Sequence, residues 1–356
     1  GQESDKPKEN ESWTGRCGRE SVQASQVTAK AGPVEVAVGV VLRSDGAVLL
    51  AQRPAGKPYA GWWEFPGGKL EVVLRPLPAQ PQLEAGETVR QALERELREE
   101  LGLQVGKAFP WLVREFVYPH AHVRLHFWRV TEFSGQAHGH ENQAFSWARP
   151  DSVDLAPLLP ATVPVIGWLR IPSVAIRIGD WLGLSDDSHP GGSAELSASL
   201  ERAFAAIATI SDCQPIVLLD LPSVPAERYE PLFYRLRDIC RQARARLLVD
   251  AARSTSYSAA AGGVVLSGAG LLGCGSRPAS SFVAALCAQP AELEAAESIG
   301  VDLVVLEPSA RLAQKPEYSV PTLLAGDCAR DLSTCIAAAW SLGAHGIAPD
   351  LRFWQH

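Results

Sequence analysis

The stretch that decides the fold comprises residues 86–103, which read GETVRQALERELREELGL. Thr88 followed three positions later by Gln91 is a capping-box start, and Gly102 suits the left-handed residue that closes a helix. Apolar residues recur every four positions between these ends and predict a buried face, formed by Val89, Leu93, Leu97 and Leu101. The sequence therefore predicts a well-bounded helix from about Thr88 to Leu101.

Another face of this helix carries three glutamates. Glu96, Glu99 and Glu100 stand at positions i, i+3 and i+4, so a helix brings their carboxylates together. Close carboxylates repel one another unless a cation lies among them, and oxygen ligands favour Mg²⁺ or Mn²⁺. Taken alone, the pattern also fits a solvated face on which Arg95 and Arg98 pair with the glutamates. The surrounding residues favour the metal site.

The helix and its flanks match the pattern G-x5-E-x7-R-E-U-x-E-E-x-G-U, in which U is aliphatic. The matching positions after the leading glycine are Glu87, Arg95, Glu96, Leu97, Glu99, Glu100, Gly102 and Leu103. The stretch resembles the Nudix box. The resemblance implies an α+β Nudix fold, a mixed sheet sandwiched by helices, in a hydrolase that acts on phosphoric anhydrides.

The leading glycine of the pattern is separated from the helix by an insertion. Thirteen extra residues, Val72–Glu84, follow Glu71, and deleting them restores the family spacing from Gly68 to Glu87. In one interpretation the insertion is a surface excursion, which costs little entropy. In the other it displaces Gly67, whose carbonyl completes metal ligation in many relatives, and it threatens activity.

Within the Nudix family the chain is most similar to the MutT type, which hydrolyses oxidised guanine nucleoside triphosphates such as 8-oxo-dGTP. The likeness rests on Gln52-Arg53 and on residues 63–69, 139–143 and 159–165. The metal ligands that it implies are Gly67, Glu96, Glu99, Glu100 and Glu141, with Glu141 also able to position the attacking water. The catalytic residues are the four glutamates and Arg95, which would orient them. The substrate-binding residues are Arg53, Phe65, Gly68, Lys69 and Thr162.

Thr162 departs from the MutT pattern, where an asparagine reads the oxidised purine. A threonine has one hydroxyl and no amide, so it cannot reproduce a paired contact to a base edge. The implied activity is a Mg²⁺- or Mn²⁺-dependent conversion of 8-oxo-dGTP to 8-oxo-dGMP and pyrophosphate, a step of nucleotide pool sanitation and DNA repair. The alternatives are hydrolysis of another nucleoside or thiamine diphosphate derivative, and a non-catalytic sensor of nucleotide or thiamine phosphate.

Strand patterns surround the helix in this first part of the chain. Val34–Val41 and Ala47–Ala51 flank the turn Ser44-Asp45-Gly46 and predict a hairpin. Further strands are predicted around Phe116–Tyr118, Val123–Val130 and Ala144–Trp147.

Four polar residues alternate along one of these predicted strands, at His120, His122, Arg124 and His126. They share one face because side chains of a strand alternate between its faces. This face either lines the nucleotide cleft or holds a three-histidine zinc site.

Beyond residue 172 the pattern changes to short β-branched runs between alanine-rich stretches. Helices are predicted over Ala194–Ile210 and Ala226–Ala243, and eight runs predict the parallel strands of an α/β TIM-type barrel. The predicted strands are Val174–Ile178, Ile216–Asp220, Arg246–Asp250, Gly263–Leu266, Phe282–Leu286, Leu303–Leu306, Thr322–Ala325 and Gly346–Ala348. Because residues 173–356 are few for a fold that usually needs roughly 200 residues, we expect truncated helices.

This second part resembles the thiamine phosphate synthase and TenI family of barrels, which follow some MutT-type domains. The segments that carry this resemblance are Gly263–Ser267, Ala291–Leu293, Gly300–Pro308 and Gly343–Ala348. Val265 and Ala288 replace two histidines of the family, and Gly326-Asp327 replaces a glycine pair. The resemblance therefore implies a degenerate barrel that only packs against or regulates the first part. The alternative is binding of a phosphorylated thiamine precursor at the carboxyl ends of the strands, near Gly326 and Gly346.

Length and composition predict a flexible tail over 1–31, a Nudix domain over 32–172 and the barrel over 173–356. The net charge of −7 and the lack of a basic run argue against polymeric nucleic acid as a partner and leave a small nucleotide substrate. No apolar run of membrane-spanning length occurs, so we expect no membrane partner. Seven scattered cysteines without a C-x-x-C pair predict reduced thiols and a cytoplasmic location.

Overall fold

The computed structural model describes residues 32–71, 86–139, 143–179, 192–253, 255–311, 317–328 and 331–355. Residues Pro33–His356 form one compact unit. Its first part contains β1 (Val34–Val41), β2 (Val48–Gln52), β3 (Trp63–Glu64), β4 (Gly67–Lys69), α1 (Val89–Leu101), β5 (Gln104–Tyr118), β6 (Ala121–Ser134), β7 (Phe145–Ala148) and α2 (Thr162–Trp168).

These strands form two sheets. The larger has the order β4-β1-β6-β5 and is mixed, because β1 runs parallel to β6 while the other neighbours are antiparallel. The smaller has the order β3-β2-β7 and is antiparallel. The predicted hairpin is confirmed only at its turn, where Arg43 N donates to Ala47 O and Leu42 bridges Val48 antiparallel. Beyond the turn the prediction is wrong, because β1 and β2 join different sheets. The turn residues allowed a hairpin, whereas the pairing was decided by distant strands.

Helix α1 has the ends that its sequence predicts. Thr88 caps it in a full capping box with Gln91, and Gly102 closes it with a left-handed φ of 67°. Leu93, Leu97 and Leu101 are fully buried against residues of β1 and β2 in one hydrophobic cluster. The apolar face thus anchors α1, and its position decides where the glutamates lie.

The second part alternates strands and helices. Its elements are β8 (Ala175–Ile178), α3 (Gly192–Ala208), β9 (Ile216–Leu219), α4 (Ala226–Gln242), β10 (Arg246–Asp250), α5 (Thr255–Ala260), β11 (Gly263–Ser267), α6 (Gly268–Leu272), β12 (Val283–Cys287), α7 (Pro290–Ile299), β13 (Leu303–Leu306), α8 (Pro308–Arg311), β14 (Thr322–Ala325), α9 (Leu332–Ser341), β15 (Gly346–Ala348) and a 3-10 helix (Leu351–Trp354). The eight predicted strands are all confirmed to within two residues at either end.

The eight strands β8–β15 are parallel and lie in sequence order in one sheet. Its two edges meet, because Val174 bridges Ile347 and Arg177 bridges Asp350. This arrangement is consistent with a TIM-type barrel. The expected truncation is also confirmed, since α5 and α6 have six and five residues.

The first part contacts the barrel through its edge strand β5. Val113 N donates to Tyr318 O at 2.9 Å, and Arg114 Nη1 donates to Ser319 O at 3.1 Å. Both acceptors precede β14, so they lie at the amino end of that strand. The contact therefore covers the amino end of the barrel.

A buried arginine completes this contact. Arg129 lies between the rings of Trp111 and Trp340, 4.3 and 5.0 Å from their centroids, and it donates to Ala344 O and to His345 Nδ1. Among the described residues it has no carboxylate partner, and burial lowers its pKa to about 9. Since Trp111 Nε1 also donates to His345 Nδ1, the histidine is neutral and donates its other N–H to Ile171 O.

The expectation of reduced cysteines is wrong for one pair. Cys328 and Cys335 form a disulfide, because the segment after β14 brings Cys328 beside the start of α9, with 6.3 Å between the two Cα atoms. Cys213, Cys240, Cys274 and Cys287 are free thiols, and Cys17 lies outside the described residues. The cytoplasmic location loses part of its support and stays a prediction.

Within the described ranges, no helix combines the length and the apolar character needed to cross a bilayer.

We expect the free energy of unfolding to decrease as the pH is lowered, because of His345. Burial, with a contribution from Arg129, lowers the pKa of His345 to about 3, whereas an unfolded histidine titrates near about 6.5. The unfolded chain then binds a proton that the folded chain does not, so stability present above about pH 6.5 is lost as the pH falls toward 3. This costs about 1 kcal/mol between about pH 6 and about pH 5.

Urea unfolding at a series of pH values measures this effect. The His345→Asn variant should show a shallower pH dependence than the wild type over the same range. Equal slopes for the two proteins would contradict a neutral, buried His345.

Candidate active site

A cleft of about 590 Å³ opens beside α1 in the first part of the chain. Its lining includes the charged side chains of Arg53, Lys57, Glu64, Glu96 and Glu100. Aromatic and apolar side chains line it as well, among them Tyr59, Phe65, Tyr118, Leu125, Phe127 and Leu159. The cleft therefore combines a charged region with a surface suited to a flat organic group.

The structure divides the three predicted helix carboxylates. Glu96 and Glu100 both line the cleft, whereas the side chain of Glu99 is 56% exposed and lies 3.4 Å from Arg95 Nη1. Gly68 lies against Glu96, since a Cβ at that position would stand 2.0 Å from Glu96 Oε1. The helix spacing predicted a shared face, but only two of the three side chains enter the cleft.

Gly67 occupies a position that only glycine fits. A Cβ there would stand 2.1 Å from Ala37 O, and its φ is 154°. Gly67 pairs with Val38 of β1, and its backbone N–H lies near the Glu100 carboxylate, whose pKa it lowers against the effect of burial. The missing side chain lets β4 approach both the sheet and the helix, and this places the Gly67-Gly68 backbone beside the two glutamates.

Arg95 connects the cleft to the start of the helix. Its Nε and Nη2 each donate to one oxygen of Glu87 at 2.9 Å, and Nη1 donates to Glu96 Oε1 at 2.7 Å. Nη2 also donates to Lys69 O at 3.0 Å. These bonds raise the pKa of Arg95 and lower that of Glu87. The guanidinium thereby holds one carboxylate of the cleft in a defined orientation.

The residues that flank the insertion are paired with each other. Glu71 N donates to Glu87 Oε2 at 2.9 Å, and Glu87 N donates to Glu71 O at 3.1 Å. The whole insertion, Val72–Glu84, lies outside the described residues. Its flanks thus lie together, and Gly67 and Gly68 lie against the sheet and α1.

Negative charge is concentrated in the cleft. Burial and then the nearby Glu96 raise the pKa of Glu100 to about 7, with a smaller contribution from Glu64 that Lys57 opposes. Burial also raises the pKa of Glu64, although Arg53 opposes it. A divalent cation among these oxygens would offset the repulsion, so the donor set fits a hard metal ion.

The described residues supply only part of a metal site. Within those ranges no three His, Cys, Asp or Glu side chains meet in metal-binding geometry. Glu96, Glu100 and the Gly67 backbone are the groups that could hold the ion. Glu141, predicted as a further ligand, lies outside the described residues.

The predicted substrate-binding residues differ in their surroundings. Arg53 is engaged by the protein, with Nη1 2.6 Å from Glu64 Oε1 and Nε donating to Pro58 O. Phe65 is buried and packs edge-to-face on Phe127. Thr162, only 3% exposed, begins α2 and lines the cleft. The side chain of Lys69 is exposed.

The polar face of β6 is not the face that lines the cleft, so that prediction is wrong for three of its four residues. His122 contacts Glu115, Arg124 contacts Glu317, and His126 contacts Glu35. The cleft is lined instead by the alternate residues Val123, Leu125 and Phe127, together with His120 at the preceding turn. Alternation predicts that residues share a face, but not which face meets the cleft. The described residues also offer no zinc site.

The sequence analysis did not single out Glu64, Lys57 or Tyr118 as residues of the site, although all three line the cleft. Glu64 lies in the motif at residues 63–69, and Tyr118 ends a predicted strand. The position of Glu64 between Trp63 and Phe65 is a signal that could have been used, since a carboxylate between apolar residues usually needs a partner.

The carboxyl end of the barrel carries acidic side chains around one arginine. Arg177 Nη2 lies 2.7 Å from Glu307 Oε1 and 3.6 Å from Asp220 Oδ2. Burial raises the pKa of the neighbouring Asp350, and Arg352, whose Nε lies 3.3 Å from Asp350 Oδ1, opposes this together with Arg177. The three carboxylates outnumber the two arginines, and this does not favour a phosphorylated ligand.

The sequence alternative that places one ligand site near both Gly326 and Gly346 is wrong. Gly326 follows the last residue of β14, whereas Gly346 is the first residue of β15 and pairs with Leu323. The two glycines consequently lie at opposite ends of the strands. Gly346 contacts Ser173, whose carbonyl oxygen would be 1.9 Å from an added Cβ.

Residues 33–169 match the family model of the NUDIX domain. Over 135 residues the chain is 40% identical to the CTP pyrophosphohydrolase of Escherichia coli (strain K12), covering 36% of this chain and 86% of that protein. It is 31% identical over 137 residues to the 8-oxo-dGTP diphosphatase of the same organism, covering 38% and 96%. The crystal structure of MutT NUDIX hydrolase from Burkholderia pseudomallei aligns at 26% identity and a TM-score of 0.33, covering 38% and 98%.

Replacing Arg95 by methionine should lower the free energy of unfolding by about 2 kcal/mol. The variant leaves the largely buried Glu87 and Glu96 without their shared partner. It also removes the hydrogen bond from α1 to the Lys69 carbonyl of β4. Arg98→Met is the matched control, because Arg98 lies on the same helix but is exposed. It should change stability by no more than about 0.5 kcal/mol in urea unfolding. Equal losses in the two variants would contradict the role of Arg95.

Proposed function

Because the chain belongs to the Nudix family, we propose that its first part hydrolyses a nucleoside triphosphate to the monophosphate and pyrophosphate. The chain is a hydrolase that acts on phosphoric anhydrides. One observation carries the proposal: Glu96 and Glu100 line a single cleft with the Gly67-Gly68 backbone and Lys57. A divalent cation and Lys57 can offset the negative charge of a polyphosphate there.

The chemistry assigns roles to the chain's own residues. The oxygen of a water forms a bond to an inner phosphorus, the bond from that phosphorus to the bridging oxygen breaks, and pyrophosphate leaves. Glu96 or Glu100 takes the proton of the attacking water, while Arg95 orients Glu96. Nudix hydrolases use divalent metal ions, and an ion of this kind, Mg²⁺ or Mn²⁺ in our proposal, lowers the pKa of bound water and neutralises phosphate charge.

We propose 8-oxo-dGTP as the first substrate and a cytidine triphosphate as the second candidate. The first is supported by the relatives named 8-oxo-dGTP diphosphatase, and the second by the 40% identical relative named CTP pyrophosphohydrolase. Thr162 favours the second candidate, because it lacks the amide that would read an oxidised purine. Either substrate would place pool sanitation, and hence protection of DNA, among the functions of the protein.

The remaining residue roles are proposals of the same kind. Glu141 and Glu99 would join the metal site once the ion and substrate are bound, and Lys69 would reach the phosphates from its exposed position. Arg53 would contact the substrate while its ion pair with Glu64 holds it in position. Phe65, packed on Phe127, would form part of the wall of the base pocket.

We propose that the boundary between the two domains lies at residue 172, just before β8. The barrel would hold the first domain through Arg129 and Trp340 rather than catalyse a reaction. Binding of a phosphorylated thiamine precursor gains no support from the acidic surroundings of Arg177. The thiamine phosphate synthase likeness stays a prediction from the sequence.

Glu100→Gln and Glu96→Gln should each lower kcat/KM for pyrophosphate release by at least about 100-fold, because each removes a charge from the cleft. Glu99→Gln should cause a smaller loss, since Glu99 lies outside the cleft lining. Release from 8-oxo-dGTP, dGTP, CTP and thiamine diphosphate, with Mg²⁺ or Mn²⁺, measures both effects and ranks the substrates.

The same panel separates the enzyme from a sensor. Metal-dependent release from a nucleotide supports the enzyme, and release from thiamine diphosphate alone would replace our substrate proposal. Binding of nucleotides without release from any of them would favour the sensor.

A further inference from the structure

A second cavity lies between the first part of the chain and the amino end of the barrel. Its volume is about 870 Å³, larger than that of the cleft beside α1, and no described residue lines both. The first part lines it with the turn around Gly46, with Arg149 and with the end of α2. The barrel lines it at the starts of β9, β10 and β13. The cavity is therefore separate from the cleft and from the carboxyl end of the barrel.

Four aspartates line this cavity, and each of them already has an arginine beside it. The aspartates are Asp45, Asp151, Asp212 and Asp302. Arg43 and Arg277, which lie outside the lining, pair with the first and the last of them. Arg149, within the lining, is 3.5 and 3.8 Å from the other two. The negative charge of the lining is therefore offset before any ligand enters.

The other three arginines of the lining have no carboxylate partner among the described residues. They are Arg129, Arg170 and Arg246. Arg129 is buried beside the neutral His345. Arg170 is exposed, and its side chain forms no hydrogen bond or ion pair with another described residue. The lining thus carries an excess of positive charge, which favours an anion.

Neutral groups hold the guanidinium of Arg246 in place. Its Nη1 donates to Gly262 O at 3.1 Å, and its Nη2 donates to Gln214 Oε1 at 3.3 Å. Its central carbon lies 4.8 Å from the centroid of the Phe282 ring. A guanidinium has more N–H donors than these bonds use, so some remain for a ligand. Because the side chain is already ordered, binding an anion costs it little entropy.

Arg170 lies close to Arg246. Cys213 Sγ donates at 3.7 Å to the carbonyl oxygen of the residue before Arg170, and the next residue, Gln214, bonds to Arg246. Burial lowers the pKa of Arg246, Asp302 opposes this, and Arg170 lowers it further. Two like charges therefore meet at this side of the cavity, and an anion between them would offset their repulsion.

We propose that the second cavity binds a small molecule that carries a phosphate group, with Arg170 and Arg246 donating to the phosphate oxygens. Planar guanidinium groups match these oxygens, and a phosphate group carries about two negative charges at neutral pH, which suits two arginines. Arg129 adds attraction through its charge, which is weakly screened because it is buried. The inference does not depend on the proposed function, since it concerns another site.

Calorimetric titration of the full chain without divalent metal tests this proposal. In the absence of a metal ion the glutamates of the cleft repel phosphate, so binding reports on the second cavity. The probes are inorganic phosphate, pyrophosphate and dGMP at one low ionic strength, and they distinguish a free phosphate ion, a diphosphate and a phosphate ester. The wild type is compared with Arg170→Gln, with Arg246→Gln and with a matched control, Arg98→Gln.

We expect the wild type to bind at least one of these probes at one site per chain. Arg170→Gln and Arg246→Gln should each weaken binding at least about tenfold, because each removes charge-assisted hydrogen bonds. Arg98→Gln removes the same charge from an exposed position on α1 and should bind as the wild type does. Whichever probe binds most tightly identifies the class of phosphate compound.

The melting temperature separates lost binding from lost folding. Arg246→Gln removes bonds to the barrel, whereas Arg170→Gln removes none to a described residue and should melt as the wild type does. The inference is overturned if the wild type binds none of the probes, or if Arg170→Gln binds them with wild-type affinity. An equal loss in Arg98→Gln also overturns it, because it would show a general attraction to the surface.

Discussion

The cleft depends on the guanidinium of Arg95, which joins three separate segments. It holds Glu87 before α1, Glu96 within α1 and the Lys69 carbonyl of β4. Without these bonds, the like-charged carboxylates of Glu87 and Glu96 would repel each other with no cation between them. The hydrogen bond from α1 to the Lys69 carbonyl of β4 would also be lost. The same bonds hold the base of the insertion closed, since Glu87 also accepts from the Glu71 amide. A chain can therefore carry thirteen extra residues there and keep its glutamates and glycines together.

A second cation joins the two parts of the chain. Arg129 is buried between Trp111 of β5 and Trp340 of α9, and it bonds to the residues that precede β15. The rings and the neutral His345 replace water around a charge that has no carboxylate partner among the described residues. Because this contact covers the amino ends of the strands, the carboxyl end of the barrel faces away from it, and that end is acidic around Arg177.

Local patterns predicted local structure well. The caps of α1 and the eight barrel strands follow from short-range signals: a capping pair, a glycine and runs of β-branched residues. The errors all concern long-range placement. Which face of β6 lines the cleft, where Glu99 points and how Cys328 meets Cys335 depend on packing between distant segments.

The account rests on the claim that Glu96 and Glu100 hold a divalent ion in the cleft. Titration with Mn²⁺, followed by the electron paramagnetic resonance signal of the free ion, tests this without any choice of substrate. The account predicts that the wild type binds the ion and that Glu96→Gln and Glu100→Gln each weaken binding at least about tenfold. Glu94→Gln, a change on the same helix at a residue paired with Arg90, should leave binding unaltered. Equal Mn²⁺ affinity in all four proteins would contradict the account.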